Sequence, residues 1–468
     1  MKYISTRGQA PDLPFDDVLL TGLARDGGLY VPDQWPTFSD DDWRAMRGLP
    51  YWEIAVRVMQ PYVAGTIPEA DFADMVRDAY AGFGHRAVAP MKQMGDNLWL
   101  MELFHGPTLA FKDMAMQILG RLFDYVLTQR GETVTIVGAT SGDTGSAAIE
   151  ACRDREAIEC FILYPHGRVS DVQRRQMTTV PSDNVHCIAL EGTFDDCQDA
   201  VKAMFNDIAF RDAKRLSAVN SINWARIMPQ IAYYVAAAVN LGAPERKVSF
   251  AVPTGNFGNI FAAYAAGKMG LPIEQYIIGS NSNDILTRTL ETGTMSMVPV
   301  VPTTSPSMDI QISSNFERLL FDLYGRDGAS LTEAMTAFRA EGSLTFGSNQ
   351  WEPMKAQFTG FRMDDIQSKQ ATNQIHQQTG ELLDPHSIIG LKAAEACRAN
   401  PSVPVVAMAT AHPAKFPAAV EEATGVHPAL PPRMSDLFER PERFTVQAND
   451  LAGLQSHISD VLTMRGPS

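Results

Sequence analysis

The chain has 468 residues, of which 45% are hydrophobic and 20% are charged, a composition typical of globular proteins. The chain is longer than a domain built around a single hydrophobic core usually is, and this length predicts two or three domains. The 54 acidic and 39 basic side chains give a net charge of -15, which argues against nucleic acid and anionic membranes as general partners.

The N-terminal segment, MKYISTRGQAPDL, lacks the apolar stretch that a signal peptide needs, and no apolar run approaches the ~20 residues that cross a bilayer. The five cysteines contain no CxxC pair, so free thiols are expected. The histidines and cysteines show no metal-ligand spacing such as HExxH, and we therefore predict no metal. These features together predict a cytoplasmic protein.

Residues 1–92 are predicted to form a small, mainly helical module. Ser39 precedes several acidic residues, which is typical of a helix N-cap. Apolar residues then recur at helical spacing between Pro68 and Phe83. No strong strand pattern separates these helices.

From residue 93 onward, short buried strands alternate with amphipathic helices. One helix ends at Gly131 and is followed by the strand TVTIV (133–137), and the strand PVVAMAT (404–410) comes late in the chain. This alternation predicts an α/β protein with parallel sheets that are covered by helices on both faces. Such sheets bind ligands at the carboxyl ends of their strands.

We predict two α/β domains with a cleft between them, at residues 93–244 and 245–468. The apolar helix 224–242 lies at their junction. The segment around 300–400 is rich in Ser, Thr, Gln and Asn and is predicted to be an irregular insertion of helices and loops.

The first candidate binding loop is GATSGDTG (138–145), between a predicted strand and a helix. Free N–H groups at a helix start favour an anion, and the hydroxyls of Thr140, Ser141 and Thr144 add donors. Because the loop carries no positive charge, a carboxylate suits it better than a phosphate. A tight turn with capping hydroxyls is the structural alternative.

The second candidate loop is PTGNFGN (253–259), again between a predicted strand and a helix. Gly255 and Gly258 allow backbone conformations closed to other residues, and successive N–H groups can surround a phosphate. The spacing matches neither GxxxxGK[ST] nor GxGxxG, so a phosphate without adenosine is favoured. A purely structural turn remains the alternative.

Lys112 stands between the apolar run LAF and an aspartate at a predicted helix start. Taken alone, such a lysine is usually a solvated surface residue. In a dry pocket beside other positive groups, however, its pKa falls because water no longer solvates the ammonium, and the free amine can condense with an aldehyde. Lys112 and the two loops together predict a site for an amino acid and a phosphorylated cofactor.

Five segments, in chain order, resemble the threonine synthases: HGPTLAFKD, GATSGDTG, NSINWARI, PTGNFGN and ATAHPAKF. The resemblance covers about residues 100–425, and YISTRG, GLARDGGLYVP and YWEIA resemble the extra N-terminal domain of the longer bacterial and fungal members. It implies the tryptophan synthase β fold and pyridoxal 5′-phosphate as cofactor. It also implies a lyase that converts O-phospho-L-homoserine and water to L-threonine and phosphate, the last step of threonine biosynthesis.

The resemblance further implies roles for single residues. Lys112 would hold the cofactor through an imine and then move protons as general base and acid. The hydroxyl of Thr410 would meet the pyridine nitrogen of the cofactor. The loop that would surround the cofactor phosphate, largely through main-chain N–H groups, consists of Gly255, Asn256, Phe257, Gly258 and Asn259.

The substrate would lie between two further groups of residues. Thr140, Ser141 and Thr144 match the loop that takes the α-carboxylate. Ser221 and Arg226 match positions that bind the substrate phosphate, and the arginine fork can bond two phosphate oxygens. The predicted partner is therefore a small molecule, and the protein is expected to be a monomer or a homodimer.

Some residues receive no role. Asp143 stands where related enzymes of the fold often carry an asparagine, and it is left unassigned. His105, His412 and Lys415 are interpreted mainly as structural, as is the segment SPSMD (305–309). The segment DPHS is predicted to begin a helix with Pro385 at its first position.

Two other functions remain open at this stage. One is a pyridoxal-phosphate dehydratase or β-replacement enzyme with a different substrate, although a substrate without phosphate would not need Arg226. The other is a non-catalytic protein that binds a phosphorylated metabolite, against which the retained Lys112 argues.

Overall fold

Two sheets of mainly parallel strands organise the protein, with helices on both faces. The computed structural model describes residues 1–140 and 142–464, so Ser141 lies outside the described residues. Among these residues, no helix combines the length and apolar character needed to span a membrane.

The N-terminal region is mainly helical, as expected, but it also contains a short antiparallel strand pair. Ser39 accepts a hydrogen bond from the backbone N–H of Asp42, whose side chain in turn bonds the Ser39 backbone, so the predicted N-cap is a complete capping box. The elements of this region are β1 (Tyr3–Ser5), α1 (Phe15–Thr21), β2 (Tyr30–Pro32), α2 (Asp40–Arg44), α3 (Tyr51–Val63) and α4 (Glu69–Ala81).

The middle of the chain alternates between strands and helices, as the hydrophobic pattern predicts. Its elements are β3 (Met91–Gly95), β4 (Leu98–Glu102), α5 (Lys112–Arg130), β5 (Val134–Ala139), α6 (Asp143–Cys152), β6 (Ile158–Pro165), α7 (Asp171–Thr178), β7 (Val185–Glu191), α8 (Phe194–Asn206), α9 (Ile208–Ala213), β8 (Leu216–Ser217) and α10 (Trp224–Asn240). Helix α10 is buried over almost its whole length and packs against α3, α5 and α11 (Gly258–Lys268), which makes it the central helix of the core.

The remaining elements complete both sheets. They are β9 (Val248–Pro253), β10 (Ile273–Ser280), α12 (Ile285–Thr292), β11 (Thr294–Ser296), α13 (Phe316–Leu323), α14 (Gly328–Glu341), β12 (Ser343–Thr345), α15 (Ser348–Gln357), β13 (Phe358–Arg362), α16 (Asp365–Thr379), α17 (Pro385–Cys397), β14 (Val405–Ala409), α18 (Pro417–Thr424), β15 (Thr445–Ala448) and α19 (Leu451–Met464). Helix α17 begins at Pro385, as predicted from DPHS. The segment around 300–400 contributes two strands that the sequence did not indicate: β12, which pairs with β11 in a separate two-stranded sheet, and β13, at the edge of the larger sheet.

The strands do not fall into the two sheets in chain order. The larger sheet has the order β13–β10–β9–β14–β4–β3 and the smaller one β15–β7–β6–β5–β8. All neighbours in both are parallel except the hairpin β3–β4. Strand β4 thus joins strands that lie far beyond it in the chain, and β15 crosses back to the smaller sheet. The domain boundaries at residues 92 and 244 stay a prediction.

Candidate active site

The loop before helix α5 fixes the position of Lys112. It leaves the carboxyl end of β4, and the N–H of Phe111 donates to the carbonyl of Thr410 at 2.8 Å, just beyond the end of β14. The buried carboxylate of Asp113 accepts hydrogen bonds of 2.8 Å from both the N–H and the hydroxyl of Thr108. Two strand ends and a buried carboxylate therefore hold the first turn of α5 in place.

The side chain of Lys112 is buried, with 11% exposure, and faces polar groups. Its Nζ lies 3.5 Å from Oδ2 of Asp143 and 3.5 Å from Oγ of Ser307. Burial lowers the pKa of Lys112, and the positive charges of Lys415 and Arg226 act in the same direction against the opposing effect of Asp143. The lowered pKa that the sequence predicted is confirmed.

Asp143 is the centre of a buried charged cluster that the sequence left unassigned. Its Oδ1 lies 3.2 Å from Nζ of Lys415 and accepts from Nε2 of Gln173 at 2.9 Å. Burial alone would raise the pKa of Asp143, but the ammonium groups of Lys415 and Lys112 outweigh it and hold that pKa well below its usual range. Asp143 is therefore a carboxylate, balanced between two lysines.

The loop after β5 is held together by its own first hydroxyl. Oγ1 of Thr140 accepts hydrogen bonds of 2.9 Å from the N–H groups of Gly142 and Gly145. Gly142 has φ +143, and a Cβ there would lie 2.5 Å from the side chain of Gln173. Thr144 is half-buried in the first turn of α6. The predicted carboxylate role of Thr140 and Thr144 stays a prediction, as does that of Ser141, which is outside the described residues.

The glycine loop after β9 presents backbone donors at the start of α11. Phe257 has φ +63, which turns the chain into the helix. The helix begins at Gly258, so the N–H groups of Gly258, Asn259 and Ile260 have no acceptor within it. A Cβ on Gly255 would lie 2.4 Å from the carbonyl oxygen of Ser307. The loop therefore presents backbone donors at the start of α11 and has no room for a side chain at Gly255.

Two residues of this loop region contact other parts of the protein, Asn259 through its side chain and Asn256 through its backbone carbonyl. Oδ1 of Asn259 accepts hydrogen bonds from the hydroxyls of Tyr233 and, at 2.6 Å, Tyr234 in the core. The carbonyl of Asn256 accepts from Nδ2 of Asn315 at 3.0 Å. Oδ1 of Asn259 is therefore engaged, while its Nδ2 has no hydrogen-bond partner among the described residues, so Asn259 keeps a side-chain donor besides its backbone N–H.

Arg226 is a buried cation in the first turn of α10. One guanidinium nitrogen donates to the carbonyl of Val219 at 3.1 Å, and Nε is buried with no partner within residues 1–140 and 142–464. Burial lowers the pKa of Arg226 to about 10. Ser221 accepts a hydrogen bond at its carbonyl from Nδ2 of Asn315 at 3.1 Å. A buried arginine with an unused donor is suited to bind an anion.

Thr410 follows β14 and adjoins residues of the segment DPHS, which was predicted from the sequence only to begin a helix. Its N–H donates to Oγ of Ser387 at 2.9 Å, and the Ser387 hydroxyl donates to Asp384. Nδ1 of His386 lies 2.8 Å from Oδ1 of Asp384, while Nε2 accepts from the N–H of Ser307 at 3.3 Å. Pro385 indicated the start of the helix. Nothing in the sequence, however, predicted that the side chains of Asp384, His386 and Ser387 lie beside the site.

Three family descriptions together match nearly the whole chain. "Threonine synthase N terminus" matches residues 2–80, "Pyridoxal-phosphate dependent enzyme" 85–411 and "Threonine synthase, C-terminal" 387–458. The threonine synthase of Pseudomonas aeruginosa is 56% identical over 460 residues, covering 98% of each chain. The chain belongs to the threonine synthase family.

Solved threonine synthases have the same architecture. The enzyme of Brucella melitensis, whose structure has pyridoxal phosphate bound, is 55% identical with a TM-score of 0.97, covering 98% of this chain and 99% of that one. Yeast threonine synthase is 38% identical with a TM-score of 0.93, covering 99% of each chain. These relatives confirm the predicted threonine synthase function, fold class, lyase class and pyridoxal phosphate as cofactor.

The residues of this threonine synthase fit pyridoxal phosphate on structural grounds. Lys112 is an enclosed amine of the kind that an aldehyde requires, and the N–H groups of Gly258 and Asn259 have no acceptor within α11, as a phosphate site requires. Ser307 lies between these parts, because its hydroxyl is near Lys112 and its carbonyl is beside Gly255. The segment SPSMD therefore lies at the site, although the sequence favoured a packing role for it.

Proposed function

We propose that this chain converts O-phospho-L-homoserine and water to L-threonine and phosphate, with Lys112 as the catalytic residue. The observation that carries the proposal is a buried lysine of lowered pKa beside a glycine loop with free donors and a buried arginine with an unused donor. This combination serves an aldehyde cofactor and a phosphorylated substrate.

The cofactor-binding residues are proposed from these positions. Lys112 would hold the cofactor covalently, and the hydroxyl of Thr410 would serve its pyridine nitrogen. The residues that would hold the phosphate are Gly255, Asn256, Phe257, Gly258 and Asn259. Support comes from the start of α11 at Gly258, since the free N–H groups and the helix dipole both favour an anion there.

The substrate is proposed to lie between α6 and α10. Thr140, Ser141 and Thr144 bind the α-carboxylate, and Ser221 and Arg226 bind the phosphate. The Nε of Arg226, which has no partner among the described residues, supports the phosphate assignment, because a buried donor without an acceptor is costly until an anion binds.

Lys112 performs the proton transfers in this proposal. Pyridoxal phosphate, when bound, supplies an electron sink that makes the Cα proton of the substrate removable. Lys112 would take the proton from Cα, release it to the adjacent imine carbon, and as a free amine again take a proton from Cβ, which allows phosphate to leave from Cγ. Lys112 also returns protons as water adds to Cβ, and its burial keeps other water away until that step.

Substrate comparison tests the function against its nearest rival. The purified, cofactor-loaded protein is incubated in turn with phosphohomoserine, serine and O-acetylserine, and threonine, phosphate, pyruvate and acetate are measured. Equal release of threonine and phosphate from phosphohomoserine supports the proposal. Turnover of serine or O-acetylserine without threonine formation would establish the dehydratase or β-replacement alternative instead.

We further propose that the protein acts in the cytoplasm on small molecules alone, as a monomer or a homodimer. The net charge of -15 supports the absence of nucleic-acid and anionic-membrane partners. Fractionation of cells and the measured mass of the purified protein in solution test these statements separately.

A further inference from the structure

A second polar cleft, of about 310 Å³, lies beside the lysine helix. It is lined by residues from the end of α4, from α5, and from the end of α6 and the segment after it, together with Pro107 of the loop before α5. None of its lining residues belongs to the site around Lys112. The cleft therefore needs an explanation of its own.

Gln117 places an unused donor at this cleft. The side chain is only 8% exposed, and its Nε2 has no hydrogen-bond partner in the described part of the chain. Its Oε1 accepts from Nη1 of Arg121 at 3.3 Å, which fixes the orientation of the amide, because rotation would bring the NH₂ group against the guanidinium. A buried donor without an acceptor is uncommon and costs free energy.

Arg121 lines the same cleft without a carboxylate partner in the described residues. Its guanidinium donates to the carbonyls of Gln117 at 2.9 Å and Asp78 at 3.2 Å. Burial, reinforced by the neighbouring positive charge of Arg155 and opposed by the carboxylate of Asp78, lowers the pKa of Arg121 to about 10. The protein therefore compensates the charge of Arg121 only in part.

Arg155 adds a second guanidinium group that has an unpartnered hydrogen-bond donor. Its Nε is buried and without a partner among the described residues. Its ion-pair contact, with Asp124, is long at 3.7 Å. Two arginines that repel each other across a cleft are both stabilised by an anion placed between them.

The acidic residues at the cleft compensate these charges only in part. Glu150 and Asp154 both pair with Arg153, at 3.3 and 3.1 Å. Asp78 lines the cleft and its charge acts on Arg121, but its carboxylate makes an ion-pair contact with Arg77, which does not line the cleft, at 3.9 Å. Among the described residues, none of these three carboxylates hydrogen-bonds to Gln117, Arg121 or Arg155, so the donors of these side chains remain.

We propose that this cleft binds a small oxyanion, a carboxylate or a phosphate group, through Gln117, Arg121 and Arg155. The amide and the two guanidinium groups form charge-assisted hydrogen bonds to its oxygens. Because Gln117 and Lys112 share helix α5, a bound anion also stabilises the element that carries the catalytic lysine.

Crystallography with selenate and succinate tests the proposal on the full-length, cofactor-loaded protein. Selenate represents a tetrahedral oxyanion and is located by the anomalous signal of selenium, while succinate represents a carboxylate. We expect at least one of them within hydrogen-bond distance of both Gln117 and Arg121. If neither is present at that position at saturating concentration, the proposal is wrong.

The variant Gln117→Glu provides the matched test in solution. The introduced glutamate side chain is nearly isosteric with glutamine. Its carboxylate should lie against Arg121 and so occupy the place proposed for the anion. Gln377→Glu makes the same change of charge at an exposed position of α16. The measurement is the rise in melting temperature with increasing concentration of the anion that was located crystallographically.

The two variants are expected to differ clearly in how their melting temperatures respond to the anion. In Gln117→Glu, the loss of charge-assisted hydrogen bonds should raise the anion concentration that gives half of the maximal rise in melting temperature by about tenfold or more. In Gln377→Glu, this concentration should equal that of the wild type. The melting temperature without anion reports whether each variant is folded. An unchanged response in a folded Gln117→Glu protein would overturn the proposal.

Discussion

The ammonium of Lys415 lies 3.2 Å from the carboxylate of Asp143, and both side chains are buried next to Lys112. The two lysines are 303 positions apart in the chain (415 minus 112), yet they share one negative charge. Gln173 bonds the same carboxylate and limits its movement. The cluster therefore fixes both the charge and the position of the carboxylate that lies 3.5 Å from the amine of Lys112.

Replacing Asp143 is expected to destabilise the protein strongly. Asp143→Asn leaves the buried ammonium of Lys415 without its counter-charge, which costs about 3–5 kcal/mol of the free energy of unfolding. Denaturant unfolding of the wild type, Asp143→Asn, Lys415→Met and the double variant measures this. We expect the double variant to lose less stability than the sum of the two single variants. Strict additivity would mean that the two charges do not interact.

The same pair predicts a dependence of stability on pH. The pKa of Asp143 is lower in the folded protein than the value of about 4 in an unfolded chain, so its contribution is complete above that pH. The contribution is lost as the pH falls below about 4 towards the folded pKa, because the unfolded state then binds the proton first. The difference in unfolding free energy between wild type and Asp143→Asn should therefore shrink below pH 4. A constant difference down to pH 2 would contradict this assignment.

Removing the amine of Lys112 is expected to abolish turnover without unfolding the protein. Lys112→Ala deletes a buried cation whose charge is unfavourable there, so we expect a melting temperature close to that of the wild type. Threonine formation should fall by a factor of at least about 10² to 10⁴, the range of general acid–base catalysis. Lys92→Ala, which removes a half-exposed lysine, is the control. Retained threonine formation in Lys112→Ala would exclude the catalytic role.

Replacing Arg226 is expected to weaken substrate binding much more than cofactor binding. Arg226→Ala removes charge-assisted hydrogen bonds to the substrate phosphate, which should raise KM for phosphohomoserine by about 10- to 100-fold. Cofactor affinity, followed by the visible absorption of the bound cofactor, should stay within about twofold of the wild type. Arg77→Ala removes an exposed arginine as a control. Equal losses of substrate and cofactor binding would argue against the proposed position of the substrate phosphate.

The glycine loop predicts a steric effect on cofactor retention. A Cβ at Gly255 would lie 2.4 Å from the carbonyl oxygen of Ser307, so Gly255→Ala must displace one of the two segments. We expect the purified variant to retain less pyridoxal phosphate after dialysis. Gly82→Ala is the matched control, since a Cβ there has no neighbouring atom within 4 Å. Full retention in Gly255→Ala would show that this contact does not shape the phosphate loop.

The sequence by itself determined the local features of this protein. The Ser39 cap, the end of α5 at Gly131 and the start of α17 at Pro385 depend on neighbouring residues, so short patterns are sufficient to predict them. The loops after β5 and β9 were found in the same way, and five ordered segments were enough to indicate the family and its cofactor.

Only the tertiary structure decided which distant groups meet. Nothing local pairs Lys415 with Asp143, places Ser307 between Lys112 and Gly255, or leaves the Nε of Arg226 without a partner. Likewise, β4 pairs with β14 and β15 pairs with β7, and each of these pairs joins strands that are remote in the chain. These contacts follow from the packing of whole sheets and helices, and the pKa of a buried group depends on every charge that such packing brings near it. Sequence patterns report neighbours along the chain, and that is why they identified the lysine but not the charges around it.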